Sequence, residues 1–283
     1  MLFSLVFAYG NMKIVAHTIV RNESRWVWFA VKSVLDYVDE VMVWDTGSTD
    51  NTARIIKSID NPKVSFRQID LTPNETALSQ IRQRMLDQTQ ADWLMILDGD
   101  ETWPDNSIQT ALNFINTQGR FYDSIVVPTL NCVGDVFHSS SPSAGHYSIA
   151  GKTGHYNLRF INLKKILGLH VSNFPGQLQS YYDSKGVKIQ ERDPQRIAFV
   201  NAPYLHMTHL TRSSHFHDKE VFWRSSKFKY DLGGPLPAGF EYPKCFYQPR
   251  PRIVSSPWTR RSLFFILNAA WQTPIRAIKN YGH

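Results

Sequence analysis

The stretch ADWLMILDGDETW, Ala91–Trp103, decides how this chain is read. Trp93–Leu97 consists almost purely of core residues and is bounded by polar ones, which reads as a buried strand. Asp98, Gly99 and Asp100 follow at once. In extended backbone, residues at i and i+2 point to one side, so both carboxylates face one way. Gly99 lets the backbone pass close to a ligand. Two hard oxygen ligands beside a diphosphate suit Mg²⁺ or Mn²⁺.

N-terminal to this stretch, strand and helix signals alternate. Lys13–Val20 is a short apolar run ending in the polar turn Arg21-Asn22-Glu23-Ser24. Val27, Val31, Val34, Leu35 and Val38 recur at helical spacing. Glu40–Trp44 reads as a second strand, Asp50–Ile59 as a helix, Val64–Ile69 as a third strand and Glu75–Thr89 as a helix. This alternation predicts an α/β fold with a mostly parallel central sheet flanked by helices. Between the second strand and its helix lies DTGSTDNT, Asp45–Thr52. In parallel sheets ligands sit at the carboxyl ends of strands, where a carboxylate can accept from a base N–H or a ribose hydroxyl. Gly47 permits the tight turn there, and Ser48, Thr49 or Asp50 can cap the helix.

The second half differs. Ser124–Leu130 and Asn157–Leu163 read as strands, with a Ser/Gly/His-rich loop, Phe137–Gly154, between them. Beyond Tyr204 the chain is rich in Pro, Arg and aromatics, which predicts extended or coil structure packed on the core. The segments expected are an N-terminal extension (1–12), an α/β core (13–163), a completion of the same domain (164–256) and a basic amphipathic helix (257–283).

The 283 residues are 42% hydrophobic, enough for a sizeable core. Cys132 and Cys245 are the only cysteines, which excludes a disulfide framework and fits a reducing compartment. MLFSLVFAY at the start is apolar but too short to span a bilayer. The net charge of +7 is uneven: residues 184–283 hold 16 Lys/Arg against 6 Asp/Glu. A basic C-terminal third points to an anionic partner, a diphosphate or a phospholipid surface, and the scattered placement argues against nucleic acid. In the tail, Arg260 and Arg261 precede the apolar run Leu263–Leu267, and Trp271 follows. Such a segment can lie in a membrane interface with its basic side chains on headgroups, or pack on the protein's own core.

Taken together, VRNES (Val20–Ser24), DTGSTDNT, the Arg82 region and Ala91–Trp103 resemble the GT-A-fold glycosyltransferases of the large inverting family 2, over residues 13–163. The resemblance implies transfer from a nucleoside-diphosphate sugar to a glycan or lipid-linked hydroxyl, with inversion and with Mn²⁺ or Mg²⁺ as cofactor. By analogy it suggests cell-surface polysaccharide synthesis, in the cytoplasm or peripherally at the inner face of the membrane. It places Arg21, Asn22, Glu23, Asp45, Gly47, Ser48, Arg82, Asp98 and Gly99 near the nucleotide, with Asp45 toward the base. Arg82 is followed by Gln83 where the family usually has Asn. Asp98 would contact the ribose or the metal and Asp100 would hold the metal, with Glu101 supporting them.

In YLHMTHLTRSSHFH, Tyr204–His217, a histidine would add a metal ligand, and His206 is preferred to His209 because it follows an apolar run. Arg212 suits the diphosphate through its planar fork. HEXXH is absent, which argues against a zinc hydrolase. An inverting enzyme also needs a base for the acceptor hydroxyl. Gln177 and Gln179 stand where the family would place an acid after the Leu158-Arg159-Phe160 strand, so Asp183 and His170 become the candidate catalytic bases beside Asp100. Two other readings stay open: a nucleotidyltransferase, although RNES replaces the expected phosphate loop, and a non-catalytic sugar-nucleotide-binding protein.

Overall fold

The computed structural model describes residues 12–69, 77–145, 147–172, 180–213, 217, 219, 221 and 224–281. Residues 1–11 of the expected extension lie outside these, as do Gln177 and Gln179.

The strands are β1 (Ile14–Val20), β2 (Glu40–Asp45), β3 (Val64–Gln68), β4 (Trp93–Ile96), β5 (Glu101–Thr102), β6 (Ser124–Asn131), β7 (His138–Ser139), β8 (Tyr147–Ile149), β9 (Lys152–Gly154), β10 (Tyr156–Asn162), β11 (His170–Ser172), β12 (Ser180–Tyr182), β13 (Ile197–Phe199), β14 (Tyr204–His206) and β15 (Gly234–Pro235). The α-helices are α1 (Val27–Val34), α2 (Thr52–Lys57), α3 (Ala77–Asp87), α4 (Asp105–Gln118), α5 (Arg224–Lys227) and α6 (Leu263–Tyr281).

Among the described residues nine strands form one sheet in the order β3-β2-β1-β4-β10-β6-β14-β5, with β13 also on β6. The β3-β2-β1-β4 half is parallel throughout. β10 enters antiparallel between β4 and β6. β1 lies between β2 and β4, so both of its edges are paired and its residues are almost all buried. That explains the unbroken run IVAHTIV, since a strand covered on both faces has no reason to alternate. α1 is buried nearly all round, with Val27, Trp28, Phe29, Ala30, Val31 and Val34 in the main core.

The mostly parallel α/β sheet is the one predicted, with local corrections. The helix expected over Asp50–Ile59 is only Thr52–Lys57. Asp50 Oδ1 accepts from the Thr52 N–H at 2.9 Å, so the preceding residues serve as a cap. The Phe137–Gly154 stretch contains β7, β8 and β9 rather than loop alone. α4 escaped the sequence reading although its buried Ile108, Ala111 and Ile115 recur at helical spacing. Residues beyond 163 do not merely pack on the sheet: β13 and β14 pair parallel with β6 and extend it.

Candidate active site

β4 ends at Ile96, and the backbone then turns, with the Glu101 N–H donating to the Asp98 carbonyl at 3.1 Å. Asp98 and Asp100 therefore reach one cavity through a tight turn and not through extended backbone, which corrects the expected geometry. Gly99 is required here, because a Cβ on it would lie 2.7 Å from Val20 Cγ1 and 3.1 Å from Glu23 Cγ. The turn delivers Glu101 into β5, which pairs with β14 so that Glu101 sits opposite His206. The Met207 N–H donates to the Asp100 carbonyl at 2.9 Å and locks the two segments together.

The cavity has a volume of about 450 Å³. Asp98, Gly99, Asp100, Glu23, His206 and four cations, Arg82, Arg159, Arg212 and Lys227, all line it. Each carboxylate has cationic partners. Arg212 Nη1 donates to Asp100 Oδ2 at 2.7 Å and lies 3.3 Å from Glu23 Oε1. Arg224 Nη2 pairs with the same Glu23 oxygen at 2.5 Å. Asp98 is met by Arg159 at 3.3 Å and by Arg82 at 3.6 Å. Arg159 also pairs with the fully buried Glu101. Its Nε donates to the Tyr204 hydroxyl at 3.0 Å, and Asn157 donates to that same oxygen at 2.7 Å. Tyr204 is stacked on Trp103 at 4.8 Å, which fixes the network against the core.

These charges set the protonation states. Burial raises the Asp98 pKa, but Arg159 and Arg82 outweigh it and hold the carboxyl below its ordinary value. For Asp100, burial is likewise overcome by Arg212 and His206, and the carboxyl stays ionised far into acid. Burial pushes Glu101 up to about 7; Arg159 pulls against it, and the charge on Asp98 adds to burial. Burial lowers the His206 pKa, but Asp100 prevails and raises it above the ordinary histidine value.

The donor set fits a small divalent ion. Asp98 and Asp100 supply carboxylate oxygens, and His206 Nε2 lies 3.5 Å from Asp100 Oδ2. Mg²⁺ and Mn²⁺ sites commonly use one or two carboxylates and complete their shell with substrate phosphates and water. Among the described residues no three His, Cys, Asp or Glu side chains converge as a cluster able to hold a metal. The protein's share of such a shell is therefore partial, which suits an ion that arrives with a phosphate.

Of the residues singled out in the sequence, Glu23, Arg82, Asp98, Gly99, Asp100, His206 and Arg212 line this cavity. Arg21, Asn22, Asp45, Gly47 and Ser48 do not. Asp45 is fully buried at the end of β2, opposite Val20 of β1. Its Oδ1 accepts from the Ser48 N–H at 2.9 Å and from the Ser48 hydroxyl at 2.6 Å. Ser48 Oγ in turn accepts from the Asn22 N–H at 2.8 Å, and Asn22 Oδ1 accepts from the Thr49 N–H at 2.8 Å. Gly47, at φ +88°, makes that turn possible. This motif buttresses the Arg21–Glu23 loop, and Glu23 is the residue that reaches the cavity. Asp45 Oδ2 is buried with no hydrogen-bond partner among the described residues.

Neither candidate base lines the cavity. Asp183 Oδ1 accepts from the Lys185 and Val187 N–H groups at 2.9 and 3.0 Å, and Oδ2 pairs with Arg192. His170 Nδ1 lies 3.0 Å from the Gly168 carbonyl, and its ring stacks on Tyr182. Arg159, Lys227 and Tyr181 belong to the cavity and were not singled out as site residues. For Arg159 a signal existed: an arginine inside the apolar run NLRFI must find a buried acid to be tolerated.

No curated protein sequence matches the chain. Among solved structures, S. aureus TarS 1–349 is similar at 16% identity and a TM-score of 0.46, over 70% of this chain and 61% of that one. A second S. aureus TarS structure is similar at 16% identity and a TM-score of 0.46, over 71% of this chain and 38% of that one. Glucosyl-3-phosphoglycerate synthase from Mycobacterium tuberculosis, in complex with Mn²⁺, UDP and phosphoglyceric acid, is similar at 18% identity and a TM-score of 0.43, over 69% of this chain and 70% of that one. The chain thus spans less than two thirds of either TarS chain. The glycosyl transferase family 2 model matches residues 16–176, more than half of the 283 residues. That match takes in most of β1, all of β2 to β4, the acid pair and Arg159, and on it the chain belongs to glycosyl transferase family 2.

Proposed function

We propose that this glycosyltransferase takes a nucleoside-diphosphate sugar as donor and transfers the sugar to a hydroxyl with inversion, and that Asp98, Asp100 and His206, which do not form a three-ligand cluster on their own, would draw together on Mn²⁺ or Mg²⁺ arriving with the donor phosphates. One observation carries the reading. Asp98 and Asp100 share a cavity with Arg82, Arg159, Arg212 and Lys227, so sites for a cation and for a diphosphate adjoin. The metal would supply Lewis-acid stabilisation of the charge that develops on the leaving diphosphate. Arg212 and Arg82 can exchange their carboxylate partners for phosphate oxygens, which match a guanidinium fork in geometry. Glu23, gripped by Arg224, keeps Arg212 pointed at the cavity when the exchange occurs.

Asp45, with Gly47 and Ser48, serves the donor by shaping the loop of Arg21, Asn22 and Glu23. The proposal gives Asp183 and His170 no base role, since both are engaged by local hydrogen bonds and neither lines the cavity, and it passes the acceptor hydroxyl's proton to Glu23, the cavity carboxylate not assigned to the metal. A glycan or lipid-linked acceptor and a place in the cytoplasm complete the reading; both cysteines are buried free thiols, as a reducing compartment would leave them. Product NMR with a turned-over donor should show an inverted anomeric configuration. Retention would remove the single-displacement scheme. Turnover that persists undiminished in EDTA would remove the metal.

A further inference from the structure

We propose that the start of α6 and the arginines before it dock this protein on an anionic phospholipid membrane. The sequence left two options for this segment, packing on the core or lying on a membrane, and the helix does both on opposite faces. Phe265 and Ala269 are buried. Phe265 packs against Tyr230 and closes over Gly134, where a Cβ would lie 2.5 Å from its ring. On the other side Leu263, Phe264, Leu267 and Trp271 are 76%, 67%, 65% and 75% exposed. At 3.6 residues per turn these four fall within an arc of about 100°. Four large apolar side chains on one arc form a patch that water alone does not favour.

Charge identifies what covers it. Glu241 is the last acidic residue of the chain. After it come Lys244, Arg250, Arg252, Arg260, Arg261, Arg276 and Lys279, so all seven ionisable charges in that stretch are positive. Arg260 and Arg261 stand at the foot of the apolar arc and, with Arg25 and the buried Asp135, line a hollow of about 280 Å³ beside it. Apolar side chains next to three arginines and one buried acid complement the interface of an anionic bilayer, where acyl chains and phosphates lie at adjacent depths. A second copy of this chain is disfavoured, because the same face would set Arg260 and Arg261 against their own counterparts. No described helix is long and apolar enough to cross a membrane, so the contact is one of lying on the surface. The inference is independent of the donor and metal assignment, and its test needs neither.

The full chain should be sedimented with neutral phosphatidylcholine vesicles and with vesicles rich in phosphatidylglycerol. Anionic vesicles should bind at least about tenfold more strongly, with the difference collapsing in high salt. The Phe264→Glu/Trp271→Glu variant should lose at least about tenfold of that binding, and Arg260→Glu a smaller share. Both variants change exposed side chains, and an unchanged melting temperature will confirm that they fold. Equal binding by wild type and the double variant would overturn the proposal, as would no binding to anionic vesicles. So would a wild-type dimer that the double variant turns into a monomer, which would make a second copy the occupant.

Discussion

Arg212 Nη1 donates to Asp100 Oδ2 at 2.7 Å, joining a turn at the end of β4 to a residue 112 positions later. The pair is buried, and Arg212 also holds Glu23 at 3.3 Å. Arg212→Ala should therefore destabilise the fold by about 3–5 kcal/mol in urea titrations, as expected when a buried acid loses its partner. Arg212→Lys should retain more stability but lose the fork. If Arg212 receives a phosphate, kcat/KM for the donor should fall by about 100-fold in the Lys variant at saturating metal. Unchanged kcat/KM would confine Arg212 to a structural role.

Gly99→Ala tests the turn that presents both acids. The added methyl meets Val20 Cγ1 at 2.7 Å and Glu23 Cγ at 3.1 Å, and both residues are buried. The variant should lose about 1–3 kcal/mol of stability by overpacking. Its loss of turnover should exceed what the unfolded fraction explains, because Asp98 and Asp100 shift with the backbone. Thermal denaturation beside initial rates separates the two effects.

Asp183→Asn should leave kcat within about twofold while weakening the fold, since the acid is hydrogen-bonded within its own turn and paired with Arg192. Loss of kcat by orders of magnitude, with a pH profile that loses its acidic limb, would restore Asp183 as the base.

The N-terminal half of this fold was legible because its signals are local. Apolar-rich runs of strand length mark β1, β2 and β4, and the acid pair follows the last of them. What was not legible is set by contacts across the chain. Nothing near His206 announces that β14 pairs with β5 and brings it to within 3.5 Å of Asp100. Nothing in DTGSTDNT shows that Ser48 takes one oxygen of Asp45 and leaves the other unpartnered among the described residues, because a capped turn and a ligand-facing turn use the same residues. Arg159, Arg212 and Arg224 converge from three separate segments. Asp183 was chosen as the first acid in the right region, and only its hydrogen bonds reveal a turn residue.

His17 predicts a pH dependence of stability. It is fully buried in β1, its Nε2 lies 2.6 Å from Thr89 Oγ1, and burial together with Arg82 pushes its pKa down from 6.5 to about 3. The folded protein thus refuses a proton that the unfolded chain accepts. The contribution is fully present above pH 6.5 and is lost as the pH falls from there toward 3. Between pH 7 and 4.5 it removes about 2–3 kcal/mol. His17→Gln should flatten the urea-midpoint profile over that window relative to wild type, and a parallel profile would show that His17 is protonated in the fold.

The central claim is that Asp98 and Asp100 face the place where donor diphosphate and divalent ion bind together. The direct measurement is calorimetric titration of nucleoside diphosphates, UDP, GDP and dTDP in turn, into wild type and Asp100→Asn, each with Mn²⁺ and with EDTA. One nucleotide should bind wild type in a Mn²⁺-dependent manner, with at least about 100-fold weaker binding to a correctly folded Asp100→Asn. Equal affinity in the two proteins, or nucleotide binding indifferent to Mn²⁺, would contradict it.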